Sequence, residues 1–179
     1  TQSMVRKVPL SPQEQEDVRQ IGRIALRTQD MMRDIVWVLN SRNDSLADMT
    51  LKMREVASRV LNNISYSFKG SDTPLSAKVD LEFKRNVFLF YKECLNNIVK
   101  HSAASVVKIE VEFRQREFIL KITDDGKGFN PDVATAGIGL QSLRSRALGL
   151  GGNLSISSRP GGGTEISLIV KTPLMRHGS

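Results

Sequence analysis

Cysteine, tryptophan and long apolar runs are what this 179-residue chain has least of: one Cys, one Trp, and no stretch near the roughly 18 apolar residues a membrane span needs. A lone thiol, Cys94, cannot close an internal disulfide and has no partner at metal-ligand spacing. A disulfide-stapled scaffold is thereby excluded, and a cytoplasmic setting is the simplest expectation. No secretory signal pattern opens the chain, so any inner- or plasma-membrane anchor would belong to segments outside it. Internal repeats and low-complexity tracts are absent. Aromatics make up 6% of the residues, and none interleaves with a basic stripe of the kind single-stranded nucleic-acid binders use. Direct nucleic-acid binding is therefore not expected.

What is present is an ordinary globular composition, 40% apolar and 25% charged, enough for one domain, or one domain with an appendage. The net charge of +7 suits an anionic partner such as a nucleotide, a nucleic acid or an acidic protein face. Its basic residues are scattered, with local concentrations at Lys84 and Arg85 and at Arg144 and Arg146. The chain starts at Thr1 and ends Met175-Arg176-His177-Gly178-Ser179, which reads as a piece excised from a longer protein.

Residues 11 to 39 carry the first helix signal. Ser11-Pro12 with Glu14 forms a capping box, and Val18, Ile21, Ala25, Met32, Ile35, Val36 and Leu39 recur near the 3.6 period. Turn formers from Asn40 to Ser45 end it. A second helix is predicted from about Leu46 to Leu61, capped by Ser45 and Asp48, with Leu46, Met49, Met53, Val56 and Val60 on one stripe. A short strand follows at Ile64 to Phe68, then a loop at 69–74. The third helix, from about Ala77 to Ser102, turns Val79, Phe83, Val87, Phe90, Tyr91, Cys94 and Ile98 inward. From there the period switches to two: Val107, Ile109, Val111 and Phe113, then Phe118, Leu120 and Ile122, predict an antiparallel hairpin with one wet face. A helix from about Ile138 to Leu148 ends at Gly149, and a second hairpin joins Leu154-Ile156 to Ile166-Val170 across Pro160-Gly163. The sum is an α+β layer, helices over one face of a mixed or antiparallel sheet.

Three motifs lie on this frame. Glu93-Cys94-Leu95-Asn96-Asn97-Ile98-Val99-Lys100-His101 places a carboxylate and a carboxamide one helical turn apart. Asp124-Asp125-Gly126-Lys127-Gly128-Phe129 sets an acid at a strand end, followed by glycines that admit a ligand close to the backbone. Gly137-Ile138-Gly139-Leu140 opens a helix whose amides and dipole suit a phosphate. Alone, the first is compatible with a solvated pair, the second with a generic turn, and the third with any Gly-X-Gly. Their order and distances give them weight.

Together they resemble the Asn box and the two glycine boxes of the ATP-binding domain of two-component sensor histidine kinases, within the gyrase-type (GHKL) ATPase superfamily. The resemblance implies a two-layer α/β sandwich of the Bergerat fold. It implies Asn97 as the Mg²⁺ ligand and Glu93 as the catalytic acid that orients water on the metal or assists phosphoryl transfer. Asp124 would accept the adenine exocyclic amine, with a water held by Thr164. Gly126, Gly128, Gly137, Gly139 and Leu140 would line the nucleotide. Lys100 would be a point charge for phosphate, and His101 either a phosphate donor or a helix C-terminal cation. The second box position, Asn in most of the family, is Asp125 here, adding a negative charge beside the site. Residues 130–136 correspond to a short ATP lid, as in the branch paired with helix-turn-helix regulators. Met32 to Asn40 with Asn43, Asp44 and Leu46 resembles the second helix and linker of that branch's dimerisation hairpin, where Trp37 would be a core or dimer-contact residue.

The implied organisation is a partial dimerisation and phosphotransfer helix with linker at 1–44, an ATP-binding catalytic domain at 45–173 and a tail at 174–179. The implied cofactors are ATP and Mg²⁺. The implied partners are a response regulator receiver domain and, in the full-length protein, a second copy of the kinase. The family's phosphoacceptor histidine precedes this helix, and the chain holds only His101 and His177. It is expected to bind nucleotide without phosphorylating itself. Two readings compete: a kinase-like dimerisation or docking module that has lost phosphotransfer, and another superfamily branch such as an anti-sigma-factor kinase or a mismatch-repair-type ATPase, which would lack the preceding helix.

Overall fold

A computed structural model describes residues 11–40, 44–70, 77–114, 116–130 and 138–172, the side chains of residues 27 and 138 apart. It divides into two units, residues 1–40 and 41–179. The described residues of the first hold one helix, α1 (Pro12–Leu39). Its start is fixed as the sequence requires: the Ser11 hydroxyl accepts the Glu14 N–H, and the Glu14 carboxylate accepts the Ser11 N–H at 2.7 Å. Val18, Ile21, Met32, Ile35, Val36 and Leu39 are each more than half exposed. Among the described residues no helix is long and apolar enough to cross a membrane.

The second unit runs α2 (Leu46–Val60), β1 (Ser65–Lys69), α3 (Leu81–Asn97), a π-helical turn (Ile98–Ser102), β2 (Val106–Arg114), β3 (Glu117–Asp124), α4 (Ile138–Gly149), β4 (Asn153–Ser158) and β5 (Thr164–Lys171). The five strands form one sheet in the order β1-β2-β3-β5-β4. β1 runs parallel to β2, joined through the α3 crossover, and the other neighbours are antiparallel. The sheet is therefore mixed, and both predicted hairpins are present.

Strand alternation sorts the residues into two faces. Val107, Ile109 and Val111 on β2, Phe118, Leu120 and Ile122 on β3, and Ile166, Leu168 and Val170 on β5 are all buried. The outer face is polar, with Lys121 and Glu165 paired at 2.9 Å across β3 and β5. Helices cover the inner face. Phe83 of α3 meets Phe118 of β3 edge to face, centroids 5.8 Å apart. The buried Tyr91 hydroxyl donates to the Met53 carbonyl of α2 at 2.9 Å, satisfying a polar group that would otherwise be costly in the core. Every residue predicted to face inward from α3 is buried, Cys94 included. Burial raises the Cys94 thiol well above its ordinary range, which leaves it unreactive.

The third helix starts later than its sequence suggests. Asp80 caps it, its carboxylate accepting the Phe83 N–H at 2.7 Å. The residues before Asp80 are drawn into a bridge between Ser45 and Lys78. There the Val79 N–H donates to the Asp44 carbonyl at 2.9 Å, and the Leu46 N–H donates to the Ala77 carbonyl at 3.1 Å. A fully buried Lys84 Nζ, 2.9 Å from Asp44 Oδ1, closes this clasp from within α3. The α-helix also ends at Asn97, because Ile98–Ser102 widens into the π turn before Ala103 takes the left-handed conformation at φ 53°.

Deleting one half of a buried pair strands the other charge, whereas an apolar replacement of the buried partner removes the desolvation cost along with the attraction. Asp44→Ala is expected to lower the unfolding free energy by about 3 kcal/mol, and Lys84→Met by clearly less. Urea denaturation of the whole chain measures both.

Candidate functional site

Glu93 and Asn97 lie four residues apart on α3, share one face, and are both half-buried. The first turn of α4 comes down onto them. A β-carbon placed on Gly139 would sit 2.9 Å from Glu93 Oε1 and 3.0 Å from Asn97 Oδ1. A side chain at this position would have to displace the ends of Glu93 and Asn97, and with glycine there two hard oxygen donors from the first motif meet the third motif.

The second motif is positioned by the pleat. Asp124 continues the inward row Phe118, Leu120, Ile122 as its polar end, and it is 7% exposed. Opposite it across the strands stand Val107 on one side and Thr164 on the other, with Ser158 next along β4. Directly paired residues share a face, so Asp124, Thr164 and Ser158 form a polar lip where the apolar inner face stops. Ser158 Oγ accepts the Phe129 N–H at 3.0 Å and donates to the Gly163 carbonyl at 2.8 Å. Its 3.0 Å contact with Thr164 Oγ1 therefore uses the Thr164 proton, which leaves that hydroxyl an acceptor. Asp124 Oδ1 accepts the Gly126 N–H at 2.9 Å, one of the several acceptor positions a carboxylate has. Burial pushes the Asp124 carboxyl above its ordinary value; the Gly126 amide opposes this, and the neighbouring Asp125 charge adds to it.

The loop after Asp124 is held from both sides. The Lys127 N–H donates to the Ser102 carbonyl at 2.8 Å, and the Lys127 carbonyl accepts the Gly161 N–H at 2.6 Å. Gly126 packs on the Ser102 backbone. Gly128, at φ +58°, lies against the carbonyls of Arg159 and Gly163, where a β-carbon would be both strained and obstructed. Lys100 and His101 are exposed on the π turn, and Leu140 is half-buried on α4. Gly137 lies outside the described residues. No group of three or more His, Cys, Asp or Glu side chains able to hold a metal occurs among the described residues. A groove of about 330 Å³ between α4 and β4, lined by Arg144, Ala147, Leu148, Gly152, Leu154 and Ile156, includes none of the motif positions.

Three participants are not legible as site residues in the sequence. Ser102 and Ser158 are ordinary serines there, and only the strand register and the π turn bring them in; counting the register back from the Pro160-Gly163 turn would have paired Ser158 with Thr164. Asp125 keeps the negative charge the sequence places beside the site, felt at Asp124, and has a structural use the sequence does not show: Oδ1 accepts both the Ser105 and the Val106 N–H at 2.8 Å. The backbone bond from Val106 is the main reason its carboxyl is held below the ordinary range.

Comparison with known proteins gives a consistent result. Residues 84–174 match the family model described as histidine kinase-, DNA gyrase B-, and HSP90-like ATPase. The chain is 33% identical over 153 residues to the signal transduction histidine-protein kinase/phosphatase UhpB of Salmonella typhimurium, covering 83% of this chain and 30% of that protein. It is 37% identical over 103 residues to the sensor protein VraS of Staphylococcus saprophyticus, covering 57% of this chain and 29% of that one. The chain thus spans under a third of the length of these relatives. Among solved structures, the Acinetobacter baumannii histidine kinase AdeS superposes with a TM-score of 0.61 at 17% identity, over 93% of this chain and 87% of that one. The ATP-binding domain of PrrB from Mycobacterium tuberculosis gives 0.56 at 22%, over 73% and 98%. These likenesses show a shared fold.

A carboxyl whose folded pKa is raised opposes folding once it must ionise, so its penalty is absent below the ordinary aspartate pKa and grows as pH rises through the folded one. Asp124→Asn is therefore expected to melt higher than the parent chain at pH 7, with the gap closing below about pH 4. Thermal denaturation across pH measures it.

Proposed function

This chain belongs to the histidine kinase-, DNA gyrase B-, and HSP90-like ATPase family, and on that premise we propose that it is the ATP-binding catalytic part of a sensor histidine kinase. It would place the ATP γ-phosphate for in-line transfer to a histidine outside this chain, and the full protein would relay the phosphate to a response regulator receiver domain. The observation that carries the reading is the convergence of Glu93, Asn97 and Gly139 at one point, with Asp124 and Thr164 on the sheet lip.

Asp124, a buried acceptor, suits the adenine amine, and Thr164, with its proton already committed, suits a water between the two. The oxygens of Asn97 and Glu93 fit Mg²⁺, which takes few protein ligands and completes its shell with waters and phosphate oxygens. Bound there, it would neutralise charge on the transferring phosphoryl group. Glu93 would then orient water beside Asn97, the amides at the start of α4 would meet phosphate, and Gly126, Gly128 and Leu140 would wall the nucleotide, with Gly137 assigned to it by its motif alone. Lys100 and His101 supply positive charge on the exposed turn. Residues 1–44 serve as partial dimerisation helix and linker, 45–173 as the catalytic domain and 174–179 as tail. The exposed apolar stripe of α1 supports a homodimer in the full-length protein. The catalytic domain would work in the cytoplasm, and any membrane anchor of the full protein would belong to segments outside this chain. Asp125 keeps its charge beside Asp124, and the use of its carboxylate by the Ser105 and Val106 amides gives that residue a structural task compatible with a nucleotide pocket.

Calorimetric titration with a non-hydrolysable ATP analogue tests the reading. Mg²⁺ is expected to tighten binding to the parent chain by about tenfold, ~1.4 kcal/mol. Asn97→Ala should lose that gain while keeping its metal-free affinity, and Asp124→Asn should weaken binding with or without metal. Absence of binding at millimolar analogue would favour a docking module.

A further inference from the structure

At the start of β2 the backbone pairing with the β3 end is only half made: the chain after Asp124 returns an N–H to the Val106 carbonyl but offers no backbone acceptor to the Ser105 and Val106 amides. The last rung of their ladder is Val107 with Asp124, which leaves the Ser105 and Val106 amides, just beyond it, without a strand partner on that side. Backbone donors at such a strand end need an acceptor. Asp125 provides it: one carboxylate oxygen takes both N–H groups at 2.8 Å, and its own N–H returns to the Val106 carbonyl at 3.2 Å. One residue on, Gly126 packs on Ser102, and the Lys127 N–H bonds the Ser102 carbonyl at 2.8 Å. Ser102 closes the turn that continues the helix bearing Glu93 and Asn97, while its own hydroxyl bonds back to the Ile98 carbonyl at 2.9 Å. A continuous line of short backbone contacts thus joins the helix of the first motif to the strand end that presents Asp124; within the second motif the Asp124 carboxylate holds Gly126, and the Asp125 carboxylate is the side chain that reaches across to the start of β2.

We infer that Asp125 is a positioning residue for adenine recognition: by clamping Ser105 and Val106 it fixes the backbone that aims the Asp124 carboxylate, and so sets selectivity for a purine bearing a 6-amino group. The inference rests on the proposed role of Asp124. It needs an acceptor oxygen at residue 125 and not a negative charge. The two requirements separate cleanly, because an asparagine keeps the oxygen and loses the charge, whereas an alanine loses both.

The test compares ATP with inosine triphosphate, which carries a 6-oxo group in place of the amine, by titration calorimetry of the whole chain and of Asp124→Asn, Asp125→Asn and Asp125→Ala. The parent chain should prefer ATP by about 10- to 100-fold, the worth of one hydrogen bond to a charged acceptor, and Asp124→Asn should lose the preference. Asp125→Asn should keep both affinity and preference within about twofold, and Asp125→Ala should bind ATP about tenfold more weakly with its preference largely gone while inosine triphosphate is little affected. Equal loss of both nucleotides in Asp125→Ala, or a retained preference, overturns the inference. If Asp125→Ala does not melt cooperatively, Asp125→Asn decides: binding tightened severalfold would show that charge is what matters at this position, and overturns the inference as well. A preference that survives Asp124→Asn refutes the adenine role of Asp124 itself, a failure distinct from the others.

Discussion

Everything at the candidate site depends on where the inner face of the sheet stops being apolar. Strand alternation carries Phe118, Leu120 and Ile122 into the core, and the same parity obliges the next residue, Asp124, to face inward too. A carboxylate at that place is buried enough for its pKa to rise, yet sits at the end of the row, next to Thr164 and Ser158. Binding energy for a polar ligand is available there because the acceptor is already partly stripped of water and held in place by the Gly126 amide.

The other half of the site is set by a close approach of two helices. Gly139 brings the α4 backbone onto Glu93 and Asn97, so the donors of the first motif and the amides of the third meet without an intervening side chain. The two halves are tied through the backbone: the π turn ends at Ser102, whose carbonyl receives the Lys127 amide from the loop after Asp124. The Lys84–Asp44 clasp holds the far end of α3. The helix carrying Glu93 and Asn97 is thus anchored at both ends before any ligand arrives.

Much of this is written in local sequence pattern. The capping boxes at Ser11 and Ser45, the inward stripe from Phe83 to Ile98 and both hairpins follow from spacing and alternation alone. What escapes the sequence is non-local. The start of α3 moves to Leu81 because residues 77–79 bond to 44–46, a pairing across more than thirty residues that no propensity encodes. The widened turn at Ile98–Ser102 interrupts a helical pattern that remains apolar and regular. Asp125 reads as one charge too many until the register shows two amides at the start of β2 in need of an acceptor. The site's chemistry lies in residues with recognisable motifs, and its geometry depends as well on Ser102, Ser105, Val106 and Ser158, which carry no motif.

A crystal structure of the chain with a non-hydrolysable ATP analogue and Mg²⁺ tests the central claim most directly, that Asp124 and the Glu93–Asn97 pair serve one nucleotide. The account predicts the adenine amine within hydrogen-bonding distance, about 3 Å, of the Asp124 carboxylate, and the metal on the Asn97 side-chain oxygen at about 2.1 Å. A nucleotide seated in the α4–β4 groove, or one whose phosphates turn away from Asn97, would contradict it.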